Sequence, residues 1–496
     1  MLSMSSEHAV VIGASIGGMC AARALQRRFA KITVIEADTL PTTVQGRRGT
    51  PQAWHNHSLL TAGREAIESL FPGFTERLVT NGGNDIDPGF EAANCLLHGW
   101  ASRSRTQFRM FSASRPMIEL TIRQFLREDP RITLVEGARV SGLRTKGDAV
   151  TGVTYRNESG THDVDADFVV DAAGRGSRAA MWMRQFGAEV EEMTLDAKVS
   201  YSSRWYRWPD NAPWYKWLTV FPDPNPDAPP EHQYLCSFFP IEDNAFIAVM
   251  LSWGLDMPTD VAAYEAAAAK TRTREFARIL EQADPLTGVH HTRSGSNVWR
   301  RFDRLDKPPR KFVAIGDAVC AFNPIYAQGM TCAATSAVIL SRLLDTVDPG
   351  TPALPKQFYA EQAKFLQGAW TLAFSRDVGY PQATGNRALP DGRRKRLIRA
   401  TTWPIFQYIA DACWQEAAVD RHMNRVFNLQ ETVTDVLRKP EVLFGLARFG
   451  VLRALKRTSL PTPVAPHQAP PSADRTADRN RAMGRRDTAS VAISTG

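Results

Sequence analysis

The run VVIGASIGGMCAARAL, which starts at Val10, constrains the fold of this 496-residue chain more than any other segment. Its first residues predict a short buried strand, and the small side chains from Gly17 to Arg28 predict a helix with one closely packed face. The run KITVIE, just beyond, predicts a second buried strand. Strand, helix and strand follow one another over about 30 residues, the length of a βαβ unit. The sequence therefore predicts a parallel sheet with this helix packed on it.

The glycines of this run predict a nucleotide site. In the pattern GxGxxG the first glycine makes the tight turn, the second lets the backbone approach a pyrophosphate, and the third allows close helix packing. Gly13, Ser15 and Gly18 occupy these places, and Gly17 adds room. The Ser15 hydroxyl can donate to a phosphate oxygen. Glu36, 23 positions after Gly13, is placed to accept hydrogen bonds from both ribose hydroxyls. These residues predict a Rossmann-type site without deciding between NAD and FAD.

Two distant segments decide between these cofactors. VVDAAGRGSR, from Val169 to Arg178, follows a predicted strand, and KFVAIGDAVCAFNPIYAQGMTCAAT, from Lys311 to Thr335, runs from a strand through a loop into a helix. With the N-terminal turn they resemble the three FAD signatures of the flavoprotein aromatic-hydroxylase superfamily, the p-hydroxybenzoate-hydroxylase-like group. The resemblance spans about 330 residues in the family's order. It implies FAD as the cofactor.

The same resemblance assigns residues to the flavin half of the cofactor. Asp317 matches the aspartate that hydrogen-bonds the ribityl chain, and Pro324 matches a proline on the isoalloxazine side. The helix that starts near Gly329 and Met330 would direct its N-terminus, with about half a positive charge, at flavin N1 and the C2 carbonyl. Asp171 stands in DAAG instead of the family's usual DG. Its carboxylate therefore serves either the cofactor or the backbone of its own loop.

A narrower resemblance covers residues 45–73 and 114–126. These segments, QGRRGTPQAWHNHSLLTAGREAIESLFPG and SRPMIELTIRQFL, are similar to the bacterial flavin epoxidases that act on polyene chains in polyether biosynthesis, and more distantly to squalene epoxidase. The resemblance implies that Arg47, Arg48 and Arg123 lie near the FAD phosphates or the ribityl chain. A solvated surface pair is the alternative for the first two arginines, and a helix-stabilising pair with Glu119 is the alternative for the third.

The predicted fold class is α/β, α+β overall. It combines a Rossmann-type FAD-binding domain of the glutathione-reductase type, a mixed or antiparallel sheet domain for substrate, and a C-terminal helical region. Aromatic-rich strand patterns between residues 195 and 300 mark the second of these. The FAD-binding domain is expected to comprise three segments, 1–78, 106–190 and 299–350. A short substrate-domain segment (79–105) and the main substrate domain (191–298) separate them, and the helical region (351–458) and a disordered tail (459–496) follow.

Composition excludes several other classes of protein. The net charge of +8 comes from basic residues scattered along the chain, so we expect no nucleic-acid partner. The six cysteines are widely spaced, without a CxxC pair or zinc-ligand spacing, so we expect no metal site and a cytoplasmic, reducing location. No run of 18 apolar residues occurs. Membrane contact should be peripheral at most, for example through the basic run GRRKRLIR at 392–399.

The resemblance implies a flavin monooxygenase of secondary metabolism, such as antibiotic biosynthesis. NADPH or NADH would reduce the flavin transiently, and one oxygen atom of O2 would pass through a C4a-hydroperoxyflavin to a lipophilic substrate, free or carrier-bound. Epoxidation of C=C bonds in a polyene, polyketide or terpenoid-like product needs no catalytic acid or base, so we assign no catalytic residue. Phenol hydroxylation on the same fold is the alternative. A non-catalytic flavin-binding or partner-docking protein is the alternative of another class.

Overall fold

The computed structural model describes residues 5–96, 98–103, 105, 108–223, 233–293, 295–387, 389, 392–458 and 469–470. The predicted disorder of the tail after residue 458 concerns residues that lie, except for 469–470, outside the described ones. The strands are β1 (Ser5–Ile12), β2 (Phe29–Ile35), β3 (Ser58–Leu59), β4 (Asn84–Ile86), β5 (Ala92–Leu96), β6 (Gly99–Trp100), β7 (Met110–Ser112), β8 (Ile132–Val135), β9 (Arg139–Lys146), β10 (Ala149–Asn157), β11 (Gly160–Asp165), β12 (Phe168–Asp171), β13 (Glu192–Asp196), β14 (Val199–Arg207), β15 (Trp217–Val220), β16 (Leu235–Ile241), β17 (Ala245–Trp253), β18 (Asp284–Pro285), β19 (His290–Thr292), β20 (Asn297–Arg300), β21 (Phe312–Ala314), β22 (Cys320–Ala321) and β23 (Thr384–Gly385). The helices are α1 (Ile16–Leu25), α2 (Thr61–Leu70), α3 (Phe74–Thr80), α4 (Arg115–Arg127), α5 (Ala179–Trp182), α6 (Val261–Ala268), α7 (Glu275–Gln282), α8 (Gln328–Leu344), α9 (Ala353–Asp377), α10 (Arg393–Cys413), α11 (Ala417–Phe427), α12 (Val433–Val436) and α13 (Pro440–Ala454).

A parallel five-stranded sheet carries the glycine-rich turn. Its strand order is β21-β12-β1-β2-β8, and all neighbouring strands are parallel. Val10, in the middle of β1, pairs with Val169 on one side and Thr33 on the other and has no exposed surface. Such continuous apolar strands are typical of parallel sheets, whose two faces are both covered. The predicted Rossmann-type core is confirmed.

From residue 131 to 171 the sequence has short alternating apolar runs separated by Gly, Asn and Asp turns, which predicts one antiparallel meander, but the structure divides these runs between two sheets. β9, β10 and β11 do form a three-stranded antiparallel sheet. The outer two runs were assigned wrongly, because β8 and β12 belong to the parallel sheet. Phe168 to Asp171 is buried at every position, which is the pattern of a strand covered on both faces.

The aromatic-rich segments form the largest sheet, in the order β18-β14-β17-β16-β15-β5-β6, with β19 also paired to β14. Side chains alternate across it, as period-2 geometry requires. Phe238 packs with Tyr264 and Phe276 of α6 and α7 on one face, whereas Phe239 packs with Trp217 on the other. The Ala-rich sequence between Pro258 and Gln282 predicts one helix, whereas the structure has two, α6 and α7.

The predicted C-terminal helical region is confirmed as α9 to α13. A separate apolar cluster holds these helices together; it includes Leu372 of α9, Ala412 of α10, Val419 of α11 and Phe449 of α13. No helix in the described part of the chain is long and apolar enough to cross a bilayer. The predicted domain boundaries stay predictions.

Candidate functional site

A cavity of about 2220 Å³ connects the parallel sheet to the large aromatic sheet. Its wall includes the glycine-rich turn at one end and side chains of β14, β15, β16 and β17 at the other. Residues of α9, α10 and α11 close it from a third side. Sites of this kind, between units of an α/β fold, are where cofactors and substrates usually bind.

The glycine-rich turn has no space for side chains at two positions. Gly13 has φ +96°, and a Cβ there would lie 2.7 Å from the Ala172 carbonyl oxygen. A Cβ on Gly18 would lie 1.8 Å from the Gly13 carbonyl oxygen. At Gly17 the nearest atom is the Ala333 Cβ at 3.4 Å, an ordinary contact with α8. Gly13 and Gly18 are therefore required by the backbone, whereas Gly17 is not.

Ser15 and Glu36 lie on the cavity wall beside this turn. Ser15 is the N-cap of α1, but its side chain does not cap the helix. Its hydroxyl instead donates to Glu119 Oε1 over 2.8 Å and accepts from the Arg115 guanidinium over 2.7 Å. Glu36 accepts from the backbone N–H of Ala14 over 2.6 Å, which holds its carboxylate at the end of β2. Ile16 and Gly17, in the first turn of α1, also line the cavity, and the first amides of a helix have no intrahelical partner.

Arg47 is the centre of a buried charge cluster. Its guanidinium lies 3.3 Å from Glu36, 3.0 Å from Asp38 and 3.2 Å from Glu119, and only 6% of its side chain is exposed. Burial would raise the pKa of Glu119, but Arg115 and Arg47 outweigh this and hold that pKa below its usual value. The cluster ties together the end of β2, the loop after it and α4.

Gly316 and Asp317, the GD pair after β21, line the cavity together with the glycine-rich turn. Gly316 has φ +62°, and Asp317 follows it on the cavity wall. The Asp317 carboxylate lies 3.9 Å from Arg175 Nε. Burial raises the pKa of Asp317, and the charges of Arg175 and Arg115 oppose that shift. A Cβ on Gly329, at the start of α8, would lie 3.6 Å from Asp317, so the aspartate and this helix end are neighbours.

Comparison with known proteins identifies the family. The model of the family described as FAD dependent oxidoreductase matches residues 9–207. Protein Rv3254 of Mycobacterium tuberculosis is 31% identical over 394 residues, which are 76% of this chain and 81% of that protein. The chain belongs to the FAD-dependent oxidoreductase family. FAD is its cofactor, as the sequence predicted.

Solved structures show the same fold as this oxidoreductase. The flavin-dependent brominase Bmp2 superimposes with a TM-score of 0.60 at 15% identity, covering 91% of this chain and 99% of that protein. PqsL, a probable FAD-dependent monooxygenase from Pseudomonas aeruginosa, superimposes with a TM-score of 0.56 at 14% identity, covering 80% and 99%. The myxobacterial chondrochloren halogenase CndH gives 0.56 at 15%, covering 75% and 83%. These likenesses establish the predicted fold class.

The residues of the cavity fit FAD. Gln328, the first residue of α8, is 1% exposed and lies on the wall, yet neither atom of its side-chain amide has a hydrogen-bond partner. Such a free donor and acceptor are unfavourable unless a ligand completes them. A flavin edge offers both N–H and C=O groups. Pro324, Gly329 and Met330 line the same stretch of wall.

Arg48 and Arg123 differ in position from Arg47. Arg48 lies on the cavity rim, where it forms no ion pair with any of the described residues. Arg123 is 2% exposed and lies away from the wall, and its Nε and one terminal nitrogen have no hydrogen-bond partner. Burial lowers the pKa of Arg123. A cofactor contact for Arg123 stays a prediction.

Three wall residues were not singled out from the sequence. Arg115 lies one turn before Glu119 on α4. Its position in SRPM, within the segment similar to the flavin epoxidases, was the sequence signal that could have identified it. Arg175 lies in the DAAGRG loop, and Gln328 directly precedes Gly329. Asp171 is fully buried and accepts from the Ala173 amide and the Ser177 hydroxyl, so it serves its own loop.

The aromatic-rich strands predict an apolar pocket lined by some of Trp205, Trp208, Trp214, Trp217, Phe238 and Phe239, and only two of these six line the cavity. Trp217 and Phe239 lie on its wall. Phe238 and its neighbours Trp208 and Trp214 pack on the opposite face of the sheet, and Trp205 packs against Trp54. Period-2 alternation separates the two phenylalanines.

His55 and His57 lie on the cavity wall, with His55 Nδ1 2.8 Å from the hydroxyl oxygen of Ser203 in β14. Burial lowers the pKa of each to about 3; His57 adds to this effect at His55, and Arg115 adds to it at His57. His57 Nδ1 lies 2.9 Å from the His55 carbonyl oxygen, which only accepts, so Nδ1 carries the proton and Nε2 is an acceptor. No set of three metal-ligating side chains occurs in the described ranges.

Asp317→Ala is expected to weaken FAD binding by about 10-fold or more, because a charge-assisted hydrogen bond contributes roughly 1.5–3 kcal/mol. The measurement is FAD retention during gel filtration, followed by a titration of the apoprotein. Asp345→Ala is the matched control, because Asp345 caps the opposite end of α8 and is exposed. Retention at the wild-type level in Asp317→Ala would show that the ribityl contact lies elsewhere.

Proposed function

We propose that this oxidoreductase is a flavin monooxygenase that inserts one oxygen atom of O2 into a lipophilic substrate, with epoxidation of a C=C bond as the favoured reaction. The observation that carries the proposal is the continuous cavity, which joins the cofactor end to an apolar wall large enough for a long substrate. Reduced FAD supplies the activation of O2 and the transfer of one of its atoms. NADPH or NADH is proposed as the transient reductant.

The residues of the cavity contribute binding, orientation and exclusion of water. The apolar wall at Trp217, Phe239 and Leu251 favours an alkene chain over water. Ile405 and Phe406 of α10 face it from the helical side. These apolar residues thereby hold the substrate near Pro324 and Gln328, the wall residues that fit the flavin ring.

The histidines support epoxidation over phenol hydroxylation. His55 and His57 have pKa values of about 3, so each is neutral at pH 7 and a weak base toward a phenol, whose own pKa is near 10. Epoxidation needs no such base. Phenol hydroxylation stays the alternative on the same fold.

A halogenase is the second candidate, because two of the three structural neighbours described above are halogenating enzymes by description. Flavin halogenases are marked by the motif WxWxIP and an associated lysine, and WYKWL at 214–218 does not match that motif. No lysine is among the described residues that line the cavity. These two observations favour the monooxygenase.

The test is isotope transfer. The FAD-loaded protein is incubated with NADPH or NADH and ¹⁸O₂, together with a panel of lipophilic polyenes and phenols, and the products are analysed by mass spectrometry. The expected product carries one ¹⁸O atom in an epoxide, and the other atom appears in water. An ¹⁸O-labelled phenol instead would establish the hydroxylase, and addition of halide with a halogenated product would establish the halogenase. A yellow protein that consumes neither reductant nor O2 would contradict the proposal and favour a flavin-binding role.

A further inference from the structure

We propose that Arg376 binds an anionic group of the ligand in the apolar half of the cavity, and that this group is a carboxylate attached to an apolar chain. That the ligand is a substrate rests on the proposed function. Arg376 is near the end of α9, lies on the cavity wall and is 7% exposed. No part of the predicted cofactor site requires it.

Two aromatic rings hold the Arg376 guanidinium in place. Its central carbon lies 4.4 Å from the centre of the Trp253 ring and 5.4 Å from that of Phe221. Trp253 is itself stacked on Tyr380, with ring centres 5.0 Å apart. Contacts with ring faces orient a guanidinium without using its N–H donors. The arginine is therefore fixed, with its donors still available.

The charge of Arg376 lacks an anionic partner. Its Nε has no hydrogen-bond partner, and no carboxylate of the described residues forms an ion pair with it within 4.0 Å. A largely buried charged group with an unpaired N–H donor and no ion pair is unfavourable, so it indicates a ligand that completes it.

The carboxylate of the next residue, Asp377, accepts hydrogen bonds from other side chains. Asn297 donates to it over 2.9 Å, the Tyr326 hydroxyl over 3.0 Å and Trp253 Nε1 over 3.4 Å, and Asn323 donates as well. Burial raises the pKa of Asp377 to about 6, and these hydrogen bonds, together with the charge of Arg376, oppose that shift. Asp377 is therefore a structural link between α9 and the loop at Asn323, and its carboxylate forms no ion pair with Arg376 within 4.0 Å.

The surroundings of Arg376 select the chemical class of the ligand. A planar guanidinium matches a carboxylate in geometry and in its single charge. The neighbouring wall residues Leu235, Phe239 and Leu372 are apolar. A ligand with one carboxylate and a hydrocarbon chain satisfies both parts of the wall.

The test measures binding of two probes of equal chain length to the FAD-loaded protein, without reductant. Octanoate and 1-octanol are titrated calorimetrically into the wild type and into Arg376→Gln and Arg376→Lys. We expect the wild type to bind octanoate about 10-fold more tightly than octanol, as a charge-assisted pair implies. In Arg376→Gln the two probes should bind within about twofold of each other. Arg376→Lys should keep part of the preference, because the charge remains while the planar fork is lost.

Arg103→Gln is the matched control. Arg103 is also on the cavity wall and also lies over two aromatic rings, those of Phe90 and Trp214, but its Nε donates to the Phe90 carbonyl over 2.7 Å. This variant should keep the preference for octanoate.

Equal binding of both probes by the wild type, binding of neither, or an unchanged preference in Arg376→Gln would each overturn the proposal. The wild-type comparison stands even if a variant fails to fold. Since no oxygen transfer is measured, failure here is distinct from failure of the monooxygenase proposal.

Discussion

Replacing Gly18 with alanine is expected to abolish FAD retention, with binding weakened by about 100-fold or more, because at least two charge-assisted contacts of backbone amides to the pyrophosphate are lost. The new Cβ would lie 1.8 Å from the Gly13 carbonyl oxygen and 2.8 Å from its carbonyl carbon. Since both atoms belong to the backbone, the turn and α1 must separate. We also expect the free energy of unfolding to fall by about 1–3 kcal/mol, the usual cost of overpacking.

Gly17→Ala is the matched control for this change. A Cβ at Gly17 would meet the Ala333 Cβ at 3.4 Å and the Ile315 Cδ1 at 4.0 Å, both ordinary contacts with side chains. Alanine also favours a helix over glycine by about 1 kcal/mol. This variant should retain FAD and be equally or more stable. The measurements are apoprotein titration with FAD and urea unfolding. Equal FAD affinity in both variants would show that the pyrophosphate does not approach this turn.

Arg47→Met is expected to lower the free energy of unfolding by about 3–5 kcal/mol, because removing one partner of a buried ion pair leaves the others uncompensated. Three carboxylates, those of Glu36, Asp38 and Glu119, would then lie close together beside the pyrophosphate site. FAD binding should weaken by about 10-fold or more through repulsion of its phosphates. Arg48→Met, on the cavity rim, should change stability by no more than about 0.5 kcal/mol.

The Arg47 effect has a defined dependence on pH. Glu119 has a folded-state pKa below its unfolded value, so its contribution to stability is present above the unfolded pKa and is lost as pH falls through the folded one. The difference between wild type and Arg47→Met should therefore be constant from pH 7 down to about 4.5, the ordinary glutamate pKa, and shrink as pH falls further. Urea unfolding at several pH values measures it.

A double-mutant cycle separates two roles of Arg47. If it acts by neutralising Glu119, then adding Glu119→Gln to Arg47→Met should restore some of the stability and of the FAD affinity. If it binds a phosphate directly, as the epoxidase resemblance implies, the FAD affinity should not recover. A difference that stays constant as pH falls below about 4.5, together with strict additivity, would contradict the cluster.

The structural elements that the sequence predicts correctly are those whose physical constraint is local. The steric limits at Gly13 and Gly18 arise within a few residues of one another, so the spacing predicted the turn. The strands β14, β16 and β17 followed from β-branched and aromatic runs, because those side chains suit a pleated surface. The prediction of one antiparallel meander was wrong for β8 and β12, because the sheet that a strand joins depends on long-range pairing.

The amino-acid sequence was sufficient to predict the glycine-rich turn, the FAD cofactor through three separated segments, an aromatic sheet and a helical end. The tertiary structure alone brings the distant charges together. It surrounded Arg47 with carboxylates from two segments, placed Arg115 on the cavity wall and Arg123 away from it, and left Arg376 without an anion. The physical reason is that steric limits and periodicity act between near neighbours in the chain, whereas hydrogen-bond satisfaction and burial depend on every residue that the fold brings together.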